Sequence, residues 1–252
     1  KLITTMLEPT ILQQVTEIFR NLEADYTFRM HVGTSLAGTQ LAAFLNDFAS
    51  TSPRLSVETH EAHGDTLSFT LLKNGEDTGI TFRGIPNGHE FTSLLLAVLN
   101  ADGKGKNLPD EGIACRIRSL QGDIRLQTYV SLTCTNCPDV VQTLNIFALL
   151  NPGIRHEMVD GALFQSEVDT KGVQAVPSVF ADGKLIHVGR GSLSELLEKL
   201  EDIYPSCPVN GNGENELWQQ GRLALFCTEH HSACRLDSHY DFRRSTGRKR
   251  HI

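Results

Sequence analysis

The sequence predicts an α/β protein built from two tandem copies of one unit, with the redox-type chemistry confined to the second copy. Apolar residues switch between helical and strand spacing along residues 7–102, and the same order of elements returns along 106–203. In each stretch, two strand-like runs joined by a tight-turn dipeptide, Asn74-Gly75 or Asp182-Gly183, lead into a final helix. Only the second stretch carries a Cys-x-x-Cys pair, Cys134 and Cys137.

The first copy, residues 6–105, opens with a helical stripe of Leu7, Ile11, Leu12, Val15, Ile18, Phe19 and Leu22. A strand is predicted over 26–32, then a helix through Leu41, Leu45 and Phe48, then strands over 55–59, 66–72 and 78–83. A helix through Phe91, Leu94, Leu95 and Val98 closes it, and the polar stretch 102–107 is the join. The second copy, residues 106–203, predicts a helix over 111–120, where Cys115 sits among Ile113, Ile117 and Leu120 as a packing residue. A strand follows over 124–130, then a helix with the stripe Val140, Val141, Leu144, Phe147 and Ala148. The next strand, 154–159, alternates His156 with Ile154 and Met158, which marks that histidine as structural. A short helix, the Asp182-Gly183 hairpin and a last helix complete the order. Ser192 and Glu195 form the last helix's capping box, and Leu193, Leu196, Leu197 and Leu200 its stripe. The two sheets are expected to join edge to edge, which would cover edge strands that otherwise invite aggregation.

The pair itself reads Cys134-Thr135-Asn136-Cys137-Pro138, between a strand and a helix. That is the setting of a redox dithiol, because free N–H groups and the positive dipole end at a helix start favour a thiolate on the first cysteine. Pro138 suits the first helical turn, where its missing N–H would have no partner. Half of a zinc site and two inert buried cysteines are the competing readings, and no second pair with zinc-ribbon spacing surrounds this one. Downstream, Val176-Pro177-Ser178-Val179-Phe180 places a proline at the opening of a strand, where it is tolerated.

Composition bounds the rest. The 252 residues are 40% hydrophobic and 21% charged, with a net charge of −7 that argues against a nucleic-acid footprint over the whole molecule. No apolar run reaches the roughly 18 residues of a membrane span, and residues 1–30 lack a signal-peptide core, so a cytoplasmic setting is expected. Six cysteines are too few for a disulfide-stapled secreted scaffold. Met6-Leu7-Glu8-Pro9 reads as a natural start, with residues 1–5 upstream of it. Residues 204–252 read as an irregular or disordered tail with a basic end. Cys227, His230, His231 and Cys234 gather there, but adjacent histidines in so short a loop are poorly placed for one tetrahedral ion, so no metal is expected.

A dithiol followed some forty residues later by a strand-opening proline resembles the thioredoxin fold, which implies a cis Val176–Pro177 bond against the sulfurs. Two tandem thioredoxin-like folds, the first degenerate and without Cys-x-x-Cys, resemble the N-terminal domain of the flavoprotein component of alkyl hydroperoxide reductase. The matching segments are Gly88-His89-Glu90-Phe91-Thr92-Ser93, residues 129–142 and residues 176–180, within a resemblance spanning about residues 6–203. The resemblance implies a disulfide relay. A flavin- and NADH-dependent reductase module reduces the pair, and the pair reduces a peroxiredoxin. It makes Cys134 the attacking thiolate, Cys137 the resolving thiol and Glu90 an acid/base helper, with Thr135, Asn136, Pro138, Val176 and Pro177 shaping the site. On the residues alone, Glu90 is a favourable charge in a first helical turn.

Full-length relatives continue into a flavin and NADH module with a Gly-x-Gly-x-x-Gly fingerprint, which this sequence lacks, so no cofactor is expected in this chain. That makes it an isolated N-terminal domain, a truncated or frame-disrupted form, or a carrier reduced in trans. Neither nucleic acid nor membrane is an expected partner. The alternatives are a general protein disulfide oxidoreductase and a non-enzymatic thioredoxin-like adaptor. A retained dithiol with Pro177 is unnecessary for docking alone.

Overall fold

The computed structural model describes residues 6–33, 35–62 and 66–206. Eight strands form one sheet in the order β2-β1-β3-β4-β6-β5-β7-β8. The first half contains α1 (Pro9–Phe19), β1 (Tyr26–Val32), α2 (Leu36–Ala49), β2 (Leu55–Glu61), β3 (Leu67–Lys73), β4 (Glu76–Arg83) and α3 (Phe91–Ala101). The second contains α4 (Glu111–Ser119), β5 (Ile124–Val130), α5 (Cys137–Leu150), β6 (Ile154–Asp160), α6 (Gln165–Lys171), β7 (Ser178–Ala181), β8 (Lys184–Val188) and α7 (Leu193–Glu201). The halves join edge to edge: β4 pairs in parallel with β6 from Ile80↔His156 to Arg83↔Val159. That pairing removes two exposed strand edges.

Local chemistry sets the element ends. Ser35, Asp110 and Ser192 cap α2, α4 and α7 by accepting from the N–H groups of Gly38, Ile113 and Glu195. Both hairpin dipeptides take positive φ at both positions, 51° and 84° at Asn74-Gly75 and 47° and 79° at Asp182-Gly183. This is the twist-matched two-residue turn that such pairs favour. β2 and β4 extend two residues further than their apolar pattern implies, through His60-Glu61 and Glu76-Asp77, because backbone pairing continues past the last apolar side chain. The strand after Pro177 starts one residue later, at Ser178.

One continuous apolar core runs through both halves, from Phe19, Phe28, Phe48 and Phe69 to Leu126, Leu144, Met158 and Leu197. Phe69 and Phe82 stack with ring centres 5.1 Å apart. The opposite face of the sheet differs between halves. In the second half Tyr129, Val159 and Phe180 form a separate buried cluster against Phe164, Val168 and Val173, around α6. In the first half β3 follows β2 after only residues 62–66, and no counterpart of α6 occurs among the described residues. The face it would cover is polar there, through Thr27, Arg29 and His31 of β1 and Ser56, Glu58 and His60 of β2. His156 and Cys115 are both buried, as their spacing predicts. His156 is held neutral between Thr128 Oγ1 at 2.8 Å and Asn145 Oδ1 at 2.7 Å, its pKa pushed down to about 3 by burial.

Candidate dithiol site

The turn between β5 and α5 carries the pair. The helix begins at Cys137, with Asn136 as its N-cap residue and Pro138 in its first turn. Cys134 precedes the first turn, its N–H donating to Ser131 O at 2.9 Å. Its thiol is half-buried and lies 3.8 Å from Val176 O. The Val176–Pro177 bond is cis, and the following backbone is pinned by Gly189 N–H donating to Pro177 O at 2.8 Å. Cys137 is fully buried behind Cys134. Burial pushes the Cys137 thiol well above its ordinary value. The adjoining Cys134 sulfur and the Glu90 charge push the same way, against the Ser131 backbone N–H.

Glu90 reaches this site from the other half of the molecule. Gly88 makes the approach possible: its φ is +56°, and a Cβ there would sit 2.5 Å from Leu132 O. With no side chain in the way, His89 N–H donates to Leu132 O at 3.0 Å, tying the Gly88–Glu90 turn to the dithiol loop. Gln142 Nε2 on α5 donates to Thr92 Oγ1 on α3 at 3.3 Å, which fixes the two helices side by side. Glu90 is fully buried, and neither its carboxylate oxygens nor Ser93 Oγ has a partner with hydrogen-bond geometry. Burial pushes the Glu90 carboxyl up to about 7, with the neighbouring Ser93 hydroxyl pulling the other way. An unpaired buried carboxyl beside a sulfur pair is an expensive arrangement for stability alone.

The structure therefore brings together Cys134, Cys137, Pro138, Val176, Pro177 and Glu90, with Thr135 exposed on the turn. Asn136 is also held, because Arg190 Nε donates to Asn136 Oδ1 at 2.6 Å. Sequence reasoning missed Arg190 and Ser93. The signal for Arg190 was its place between Gly189 and Gly191, just ahead of the Ser192 cap. No group of three or more metal-ligating side chains occurs among the described residues, and no described helix is long and apolar enough to cross a membrane. Cys227, His230, His231 and Cys234 lie outside the described residues.

Comparison with known proteins agrees with this geometry. The thioredoxin domain family matches residues 124–202. The N-terminal domain of alkylhydroperoxide reductase AhpF from Enterococcus faecalis superposes with a TM-score of 0.71 at 31% identity, over 77% of this chain and 99% of that one. This chain belongs to the family of the AhpF N-terminal domain. The alkyl hydroperoxide reductase protein AhpF of Staphylococcus epidermidis is 40% identical over 205 residues, 81% of this chain and 40% of that protein. A Bacillus subtilis protein named NADH dehydrogenase is 40% identical over 195 residues, 77% of this chain and 38% of that protein. The chain thus spans about two-fifths of the length of these curated relatives. A protein disulfide oxidoreductase from Aeropyrum pernix shares the fold with a TM-score of 0.69 at 19% identity.

Proposed function

We propose that this chain is the dithiol–disulfide relay of an alkyl hydroperoxide reductase system, passing two electrons from a flavin- and NADH-dependent reductase module to the disulfide of a peroxiredoxin. The observation that carries the reading is the half-exposed Cys134 thiol against Val176 O, with Cys137 buried behind it and the unpaired Glu90 carboxyl alongside. Cys134, as the accessible sulfur, attacks one sulfur of the partner disulfide. A Cys134–partner bond forms and the partner's second sulfur leaves as a thiolate. Cys137 then needs to lose a proton that burial and neighbouring charge make it hold tightly. Glu90, titrating near neutrality, accepts that proton. The Cys137 thiolate attacks Cys134, the mixed disulfide breaks, and the partner leaves with both thiols reduced after taking up protons. Re-reduction by the reductase module runs the same exchange in reverse order.

The flavin and nicotinamide belong to that module. The β5–α5 turn holds Ser131 to Asn136 where a dinucleotide phosphate would need a glycine-rich cradle, so no step is assigned to a cofactor on this chain. Thr135, Asn136, Pro138, Val176 and Pro177 shape the surface the partner meets. A general disulfide oxidoreductase role is the second reading, and the single dithiol favours the dedicated relay.

The test is mixed-disulfide trapping. The Cys137→Ser protein, mixed with oxidised peroxiredoxin, should accumulate a covalent complex through Cys134, while Cys134→Ser should form none. A complex through Cys137 in the Cys134→Ser protein would overturn the assignment of roles, and no complex in either protein would overturn the partner.

A further inference from the structure

The uncovered face of the first half carries a ladder of like-matched pairs across β1 and β2. The strands are parallel and pair Thr27↔Ser56, Arg29↔Glu58 and His31↔His60. Thr27 Oγ1 and Ser56 Oγ lie 3.0 Å apart, and Arg29 Nε donates to Glu58 Oε2 at 3.2 Å. The third rung sets two imidazoles face to face, with ring centres 5.4 Å apart and planes tilted by 35°. Glu58 also reaches this rung, with Oε1 2.8 Å from His60 Nε2.

We propose that His31 and His60 form a binding site for a divalent transition-metal ion of the zinc class, with Glu58 as the group that orients His60. Two imidazoles sharing one tetrahedral zinc at Zn–N distances of roughly 2.0–2.1 Å place their ring centres about 5.2 Å apart. The observed 5.4 Å is within a few tenths of an ångström of that spacing. Hydrogen bonds from His60 and Arg29 hold the Glu58 carboxyl below its usual range, so it is ionised and acts only as an acceptor. His60 Nε2 therefore carries the hydrogen and Nδ1 keeps its lone pair for the ion. A carboxylate behind the ligating histidine is the arrangement that fixes ring orientation and tautomer in zinc sites. The Arg29 charge is neutralised by its ion pair with Glu58, so it does not repel an arriving cation. No third His, Cys, Asp or Glu converges there among the described residues, so water completes the coordination sphere and the ion exchanges readily. Imidazole ligands suit zinc, nickel and copper rather than magnesium or calcium.

The test uses the full chain with the dithiol oxidised, so that Cys134 and Cys137 offer no thiolates, and reads the histidine ring resonances by NMR during titration with zinc. Other thiols or histidines that take up zinc then do not disturb the readout. The His31 and His60 ring signals should shift together. His31→Gln should weaken the His60 response at least roughly tenfold, and Glu58→Gln should weaken it less. His60→Gln should do the same to the His31 response, which keeps the test intact if one variant folds poorly. Unmoved His31 and His60 signals at saturating zinc would overturn the proposal, as would a His60 shift unchanged by His31→Gln.

Discussion

The two halves of the sheet share a strand order, β2-β1-β3-β4 and β6-β5-β7-β8, but use their second faces in opposite ways. The second half buries Tyr129, Val159 and Phe180 beneath α6, while the first leaves Thr27, Arg29, His31 and their β2 partners uncovered. The second half also carries the sulfurs, and the first supplies the Glu90 carboxyl. A repeat that loses its own dithiol can thus remain part of the site by turning one loop toward its neighbour. The salt-bridged Arg83 strengthens this asymmetric join. It leaves the first half on β4, meets Glu167 Oε2 of α6 at 2.8 Å and lies over the Phe164 ring at 4.1 Å.

The largest expected effect lies in the chemical difference between the halves. Cys134→Ser should abolish peroxiredoxin-dependent hydroperoxide turnover in an assay supplied with the reductase module. Placing a Cys-x-x-Cys pair at 33–36 in that protein should not restore it, because no proline opens the facing strand at Thr66. Next comes the difference in packing. Phe180→Ala should cost about 3–5 kcal/mol in denaturant unfolding, since it opens a cavity beneath α6. Thr70→Ala on the uncovered face should cost about 1 kcal/mol or less, the worth of its 3.0 Å hydroxyl contact with Thr81. Comparable losses at both positions would show that the two faces are equally structural.

A third effect comes from Glu90 and has a definite sign. Its carboxyl is raised from 4.5 to about 7, so its stabilising protonated form is fully present below pH 4.5 and is lost as pH rises through 7. Between about pH 4 and 8 the native protein should lose on the order of 3 kcal/mol relative to Glu90→Gln, measured by chemical unfolding of both. Parallel pH profiles would place Glu90 in water. The smallest effect concerns the surface around the dithiol. Arg190→Ala frees Asn136 and should slow partner reduction about two- to fivefold, since an exposed hydrogen bond of this kind contributes about 1 kcal/mol or less. An unchanged rate would leave the Arg190–Asn136 contact without a role in positioning.

The parts of this structure that are local in sequence were legible. Cys134 to Pro138, the two hairpin dipeptides and the Ser192 cap each carry their geometry within a few residues. Pro177 announced a strand opening, although its bond to Val176 needed the resemblance to be read as cis. Glu90 was legible only as a helix-start charge, because its burial comes from α3 packing beside α5 and from the close approach of Gly88 to Leu132. Arg190 was hidden for the same reason, lying 54 residues from the asparagine it holds. The alternation of β1 was visible, but pairing His31 with His60 requires the register between strands, which one strand's pattern does not contain.

On this reading a buried carboxyl from the half without sulfurs takes the proton that lets Cys137 close the disulfide. The pH dependence of mixed-disulfide resolution, followed in single turnover after Cys134 has captured the partner, isolates that step. The native protein should show a rate that rises through an inflection near pH 7, where the Glu90 carboxyl loses its proton. Glu90→Gln should be slower by about a hundredfold at neutral pH and should lack that inflection. A Glu90→Gln protein with the native rate and the native inflection would remove Glu90 from the proton transfer.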